Sequence, residues 1–257
     1  MEKSKIFIGG ECFGIHINRP LDISLPLSGD EDNPRAWYLG TPNIEPVRAE
    51  NWVGKVSRGA RVNFNRIEFS PHAHGTHTES YGHISREFYS VSRCLDRFFF
   101  KAKLISITPE AKEKDQVISR RSVKQKINPD EAEALIIRTL PNDRQKPAKN
   151  YDHSNWPYLE TEAATYIRKC GIKHLLIDLP SIDREKGDVT AHRAFWDYPD
   201  NPRKKASITE FIFVPDELED GDYLLNLQVA HFINDAAPSR PILYRIEENF
   251  SQSSPIQ

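Results

Sequence analysis

The chain has 257 residues, 38% of them hydrophobic and 28% charged, with a formal charge of −2. This is globular composition, long enough to bury a sizeable core. The near-neutral balance leaves no electrostatic footprint for nucleic acid or an anionic membrane surface. No apolar run approaches the ~20 residues of a membrane span, and the N-terminal MEKSKIFIGGECFGIH lacks a signal-peptide core. Cys12, Cys94 and Cys170 are odd in number and widely spaced, with no CxxC. They indicate neither a disulfide framework nor a thiolate metal site, and the expectation is a cytoplasmic protein with reduced thiols.

In chain order, the N-terminal third mixes turns and short strands. In VNFNRIEFS (62–70), Ile67 and Phe69 share a face, which predicts a strand leading into HAHGTHTES. KAKLISIT (101–108) reads as a strand. Residues 115–127 are basic and weakly amphipathic, so Arg120, Arg121, Lys124 and Lys126 read as a solvated helix face. EALIIRT (133–139) is a β-branched run typical of a buried strand, and 141–157 is a polar loop. ETEAATYIRKCG (160–171) predicts a helix stopped by Gly171, followed at once by the buried strand IKHLLIDLPS. Strand, helix, strand implies a parallel βαβ unit. ITEFIFVP, DYLLNLQVAHF and RPILYRI read as further strands, separated by turns at Glu219–Asp222 and Ala236–Arg240. The expected fold class is mixed α/β or α+β, with residues 1–257 as one domain.

Four of the nine histidines fall within PHAHGTHTESYGH. Imidazole and carboxylate are the usual ligands of zinc or manganese. In an extended segment His77 and Glu79 project to one face. His72 can join them across Gly75, where glycine lets the backbone bend tightly. Two nitrogens and one oxygen leave coordination positions open, as a catalytic metal site requires. A bound cation lowers the pKa of water toward ~7. His83, four residues past Glu79, is placed to carry the proton. Asp178, Ser181 and Asp183 follow a buried strand; Asp178 reads either as a carboxylate orienting a ligand histidine or as a turn cap. Trp37, Tyr38, Trp156 and Tyr158 read mainly as packing, and His231 as a core or hairpin histidine. His16, His153 and His174 have no evident partner.

These residues resemble the cyclase family of metal-dependent hydrolases, which includes bacterial kynurenine formamidase and isatin hydrolase. That family carries H-x-G-T-H-x-D-x-P-x-H, and this chain reads H-A-H-G-T-H-T-E-S-Y-G-H. Glu79 replaces the aspartate and Tyr81 the proline. One extra residue precedes Gly75, so His72 or His74 supplies the first ligand. LDISLPL (21–27), LLIDLPSIDRE (175–185) and PDELEDGDYLLNLQ resemble further family blocks in the right order. The resemblance implies a swivelling β/β/α domain and a homo-oligomer, dimer or tetramer. It also implies one or two divalent ions, Zn2+ or Mn2+. His72, His77 and Glu79 would hold one, and Glu79, His192 and Glu210 the other. The expected activity is hydrolysis of a carbon–nitrogen bond in a small-molecule amide, arylformamidase-like, with His83 as acid/base. Two rival readings differ in class. One is a cupin-type metal oxygenase using His72, His74 and Glu79 with His231, although Arg66 and Arg86 stand where its glycines belong. The other is a metal- or ligand-binding protein without turnover.

Overall fold

The structure, a computed structural model, describes residues 4–8 and 10–247. Its centre is a sheet of nine strands among the described residues. In chain order these are β1 (Leu21–Asp22), β2 (His77–Ser80), β3 (Phe99–Ile107), β4 (Ala134–Thr139), β5 (His174–Ile177), β6 (Ser207–Glu210), β7 (Gly221–Asn226), β8 (Ala236–Pro238) and β9 (Ile242–Arg245). Across the sheet they run β8-β2-β6-β5-β4-β3-β7-β9-β1. The four middle strands, β6 to β3, are mutually parallel. The flanking pairs are antiparallel.

β4 is buried at every residue, as ALIIRT predicts. The pleat sends alternate side chains to opposite faces. Ile105, Ile107, Leu135, Ile137, Leu175 and Ile177 face α2 (Thr161–Lys169) and α3 (Thr190–Trp196). Leu104, Ala134, Ile136 and Leu176 face a second core with Phe100, Ile212, Leu225 and Leu243. Each fully buried Leu or Ile contributes ~1.5–3 kcal/mol, so the β4 run anchors the sheet that carries the site. The expected βαβ unit is β4–α2–β5, paired in parallel from Ala134 opposite His174. Gly171 ends the helix segment at φ +83°.

Several expectations are corrected. Residues 115–127 split into a strand, Asp115–Ile118, and a one-turn helix α1 (Arg120–Lys124). The Ser119 side chain caps α1 by accepting from the Ser122 amide, which fixes where the helix begins. The run 62–70 forms only Asn65–Glu68, paired with Asn43–Pro46, and Ile67 is 54% exposed. ITEFIFVP stops being strand at Glu210, because Phe211 adopts a left-handed φ of 56°. Ala236–Pro238, expected as a turn, is an edge strand on β2.

Candidate metal centre

β2 and β6 supply the base of the site. Their antiparallel register sets Glu210 opposite His77 and Ile208 opposite Glu79, so His77, Glu79 and Glu210 share one face. All three side chains are buried. His72 comes from the turn before β2, which Gly75 closes at φ +140°, a conformation an L side chain resists. The Trp37 indole donates to the His72 carbonyl at 3.1 Å and fixes that turn. His83 follows in a short 3-10 turn, Tyr81–His83, where a Cβ on Gly82 would meet the Tyr89 carbonyl at 2.1 Å. His192 is the third residue of α3.

Each ring has one nitrogen committed outward. His77 Nδ1 lies 3.0 Å from the Gly75 carbonyl. The Asp183 carboxylate accepts from His192 Nδ1 and from the Ala191 and His192 amides, capping α3 from a distance. The Asp235 carboxylate lies 2.8 Å from His72 Nε2. The opposite nitrogens converge. One ring nitrogen each of His72 and His77 and a Glu79 carboxylate oxygen all lie within 4.8 Å of one another. Glu79 Oε1 reaches His192 Nε2 at 2.9 Å, and His83 Nδ1 stands 3.8 Å from Glu79 Oε2. Glu210 lies 3.5 Å from His77 and 3.6 Å from His192, and accepts from the Ile182 amide at 2.8 Å.

Two atoms in this knot, His77 Nε2 and Glu79 Oε2, are buried and make no hydrogen bond among the described residues. His72 Nδ1 is 3.1 Å from Glu79 Oε2, an ion-pair contact outside hydrogen-bond geometry. A buried carboxylate oxygen and a buried imidazole nitrogen that both lack a hydrogen bond are costly unless a cation satisfies both. The same carboxylates also favour protons on these rings, which a divalent ion would have to displace. Burial opposes charge on His72, but Asp235 and Glu79 outweigh it and raise its pKa to about 10. Burial would likewise raise Glu79, yet His83, His192 and His72 hold it well below the ordinary carboxylate range. His192 is driven well above its usual value against burial by Asp183 and Glu79. The knot is a buried cluster of carboxylates and imidazoles whose donor set fits a divalent metal.

A family profile described as "Putative cyclase" matches residues 21–184. The chain belongs to the cyclase family. Comparison with curated proteins gives no match. Among solved structures of similar fold is a predicted metal-dependent hydrolase from Bacillus stearothermophilus, with TM-score 0.63 and 17% identity, covering 88% of this chain and 98% of that one. Isatin hydrolase A from Labrenzia aggregata, bound to benzyl benzoate, gives 0.65 and 14%, covering 89% and 94%. A novel cyclase gives 0.63 and 14%, covering 89% of each chain. The mixed α+β fold with a curled sheet is therefore that of the cyclase family.

Within that fold the structure brings together His72, His77, Glu79, His83 and His192. Glu210 touches His77 and His192 but shares no three-membered ligand group with Glu79 among the described residues. His83 takes that place, grouped with Glu79 and His192. His74 turns away, its Nδ1 accepting from the Ser70 amide. His231 is exposed in a loop, so the cupin ligand set is not assembled. Asp178 orients no histidine. It forms a buried ion pair with Lys146 at 2.7 Å and accepts from Thr139, while Asp183, five residues later, holds His192. Trp156 donates to the Asp183 carbonyl, and Tyr158 bonds Asp115. Tyr38 bonds Glu185 and packs on His153. His16 pairs with Glu247, and His174 with Ser207. Asp235 was not legible in the sequence, because no spacing ties it to the motif 150 residues earlier.

Proposed function

We propose that this cyclase-family chain is a metal-dependent amidohydrolase, arylformamidase-like, cleaving a carbon–nitrogen bond in a small-molecule amide. The observation that supports it most is the convergence of His72, His77 and Glu79, with His77 Nε2 and Glu79 Oε2 left without a hydrogen bond in the interior. One or two Zn2+ or Mn2+ ions fit these donors, and a bound divalent ion acidifies water and polarises a carbonyl. His72, His77 and Glu79 would hold the first ion. Glu79 Oε1 and His192 Nε2, with Glu210 behind them, would hold a second. His83 is the most solvent-open of these side chains, at 32%. Its ring can take a proton from water and return it to the departing nitrogen. The β2–β6 register and Asp183 hold the donors still, so little reorganisation is needed at reaction.

The grouping of Glu79, His83 and His192 favours a second reading, in which His83 is itself a ligand. One experiment separates the two. The purified protein is assayed against aryl formamides, amides and lactams, with and without chelator, alongside His83→Ala. The acid/base reading expects chelator-sensitive hydrolysis and a His83→Ala protein that keeps full metal content but loses turnover. Loss of one equivalent of metal from His83→Ala would instead make it a ligand. Hydrolysis indifferent to chelator, or none on the whole panel, would overturn the proposal.

We propose further that the protein is a homo-oligomer. The arm around Asn43–Pro46 and Asn65–Glu68 leaves Val56, Val62, Phe64 and Ile67 more than half exposed. A two-stranded ribbon is marginal alone in water. Sedimentation should show a dimer or tetramer, and a monomer at micromolar concentration would contradict it.

A further inference from the structure

We infer that Asp235 is a positioning residue that commits His72 to bind metal through Nδ1. The inference rests on the metal-site reading above. Asp235 Oδ2 lies 2.8 Å from His72 Nε2 and 3.4 Å from His83 Nδ1, so one carboxylate oxygen serves both rings. The two rings pack against each other in a tilted arrangement, with centroids 4.2 Å apart and planes 34° apart. The backbone that carries this carboxylate is anchored. The Asp235 carbonyl accepts from the Ser80 amide at 3.0 Å and the Ser80 hydroxyl at 3.2 Å, and Asn234 beside it accepts from the Val91 amide. Asp235 is thereby tied to the end of β2, the strand that carries His77 and Glu79.

A carboxylate only accepts, so Nε2 of His72 must carry the hydrogen. The lone pair left for a metal is on Nδ1, the atom that points at Glu79. His77 and His192 are committed the opposite way. Their Nδ1 atoms face the Gly75 carbonyl and Asp183, leaving Nε2 to point inward. The site therefore mixes one Nδ1 ligand with Nε2 ligands, and Asp235 decides which nitrogen His72 offers. Without it the His72 ring, 24% exposed at the mouth of the site, is free to flip. Carboxylates placed behind a ligand histidine typically change metal affinity 10–100-fold when removed.

The test uses the full-length protein, with Zn2+ affinity measured by chelator competition and the histidine ring nitrogens followed by 15N NMR. Asp235→Ala should weaken Zn2+ binding 10–100-fold while circular dichroism and thermal midpoint report a folded protein. Asp235→Asn keeps an acceptor oxygen and should recover to within a few-fold of the unsubstituted protein. The NMR spectrum of the Zn2+-loaded protein should show His72 metal-bound at Nδ1 and protonated at Nε2. Normal affinity in Asp235→Ala, or His72 bound through Nε2, overturns the inference and leaves the metal centre standing. Failure of the unsubstituted protein to bind Zn2+ or Mn2+ overturns both.

Discussion

The pair Asp178 and Asp183 separates structural from functional burial. Both carboxylates are buried and sit five residues apart after β5. Asp178→Ala removes the partner of Lys146, a pair with side-chain exposures of 10% and 0%. Stranding one member of a buried ion pair costs about 3–5 kcal/mol. Asp183→Ala removes the acceptor for the Ala191 and His192 amides at the start of α3 and for His192 Nδ1. Losing a helix cap costs about 1 kcal/mol, and an unsatisfied buried donor about 1–3 kcal/mol. The two variants should therefore lose comparable stability in urea, roughly 2–5 kcal/mol each. Only Asp183→Ala should weaken metal binding, by about 10–100-fold in chelator competition, because it alone frees a ligand ring. Equal metal affinities in the two variants would refute the assignment of His192 to the metal centre.

Other consequences are independent of this pair. His174 is buried beside Phe100, and burial lowers its pKa to about 3. The unfolded chain binds a proton below pH ~6.5 that the folded chain refuses. This group thus costs no stability above that pH and removes it progressively as pH falls toward 3. Between pH 7 and 4.5 the loss should be about 3 kcal/mol. His174→Leu should flatten that limb of the pH–stability curve, and an unchanged slope would contradict the assignment. Gly82→Ala should drive the Tyr89 carbonyl away from a Cβ that would stand 2.1 Å from it, moving His83. A stability loss of about 1–3 kcal/mol with larger loss of turnover than of metal content is expected, and wild-type turnover would argue against a fixed His83.

The parts of the fold written in continuous apolar runs were legible. ALIIRT and IKHLLI give β4 and β5, and the intervening amphipathic segment gives α2. Where single backbone conformations decide, the pattern misled. ITEFIFVP looks like one long strand, but the left-handed Phe211 ends it just after Glu210. The strand expected to carry Ile67 and Phe69 on one face shortens to Asn65–Glu68 and leaves Ile67 exposed, because alternation reports a face and not what covers it. Within the site, His77 and Glu79 followed from strand periodicity, and Gly75 allowed His72 to join. Asp183 and Asp235 act through space, from a loop and a strand end, so local spacing carries no signal for them. Glu210 entered through the family resemblance alone; strand pairing sets it opposite His77, while His83 is grouped with Glu79 and His192.

The most direct measurement is metal content per chain in purified wild type and His77→Ala, with Asp178→Ala as the folded control. The account predicts at least one equivalent of a divalent transition metal in wild type and in Asp178→Ala, and little in His77→Ala despite a native-like circular dichroism spectrum. A metal-free wild type after reconstitution with Zn2+ and Mn2+, or full occupancy in His77→Ala, would contradict it.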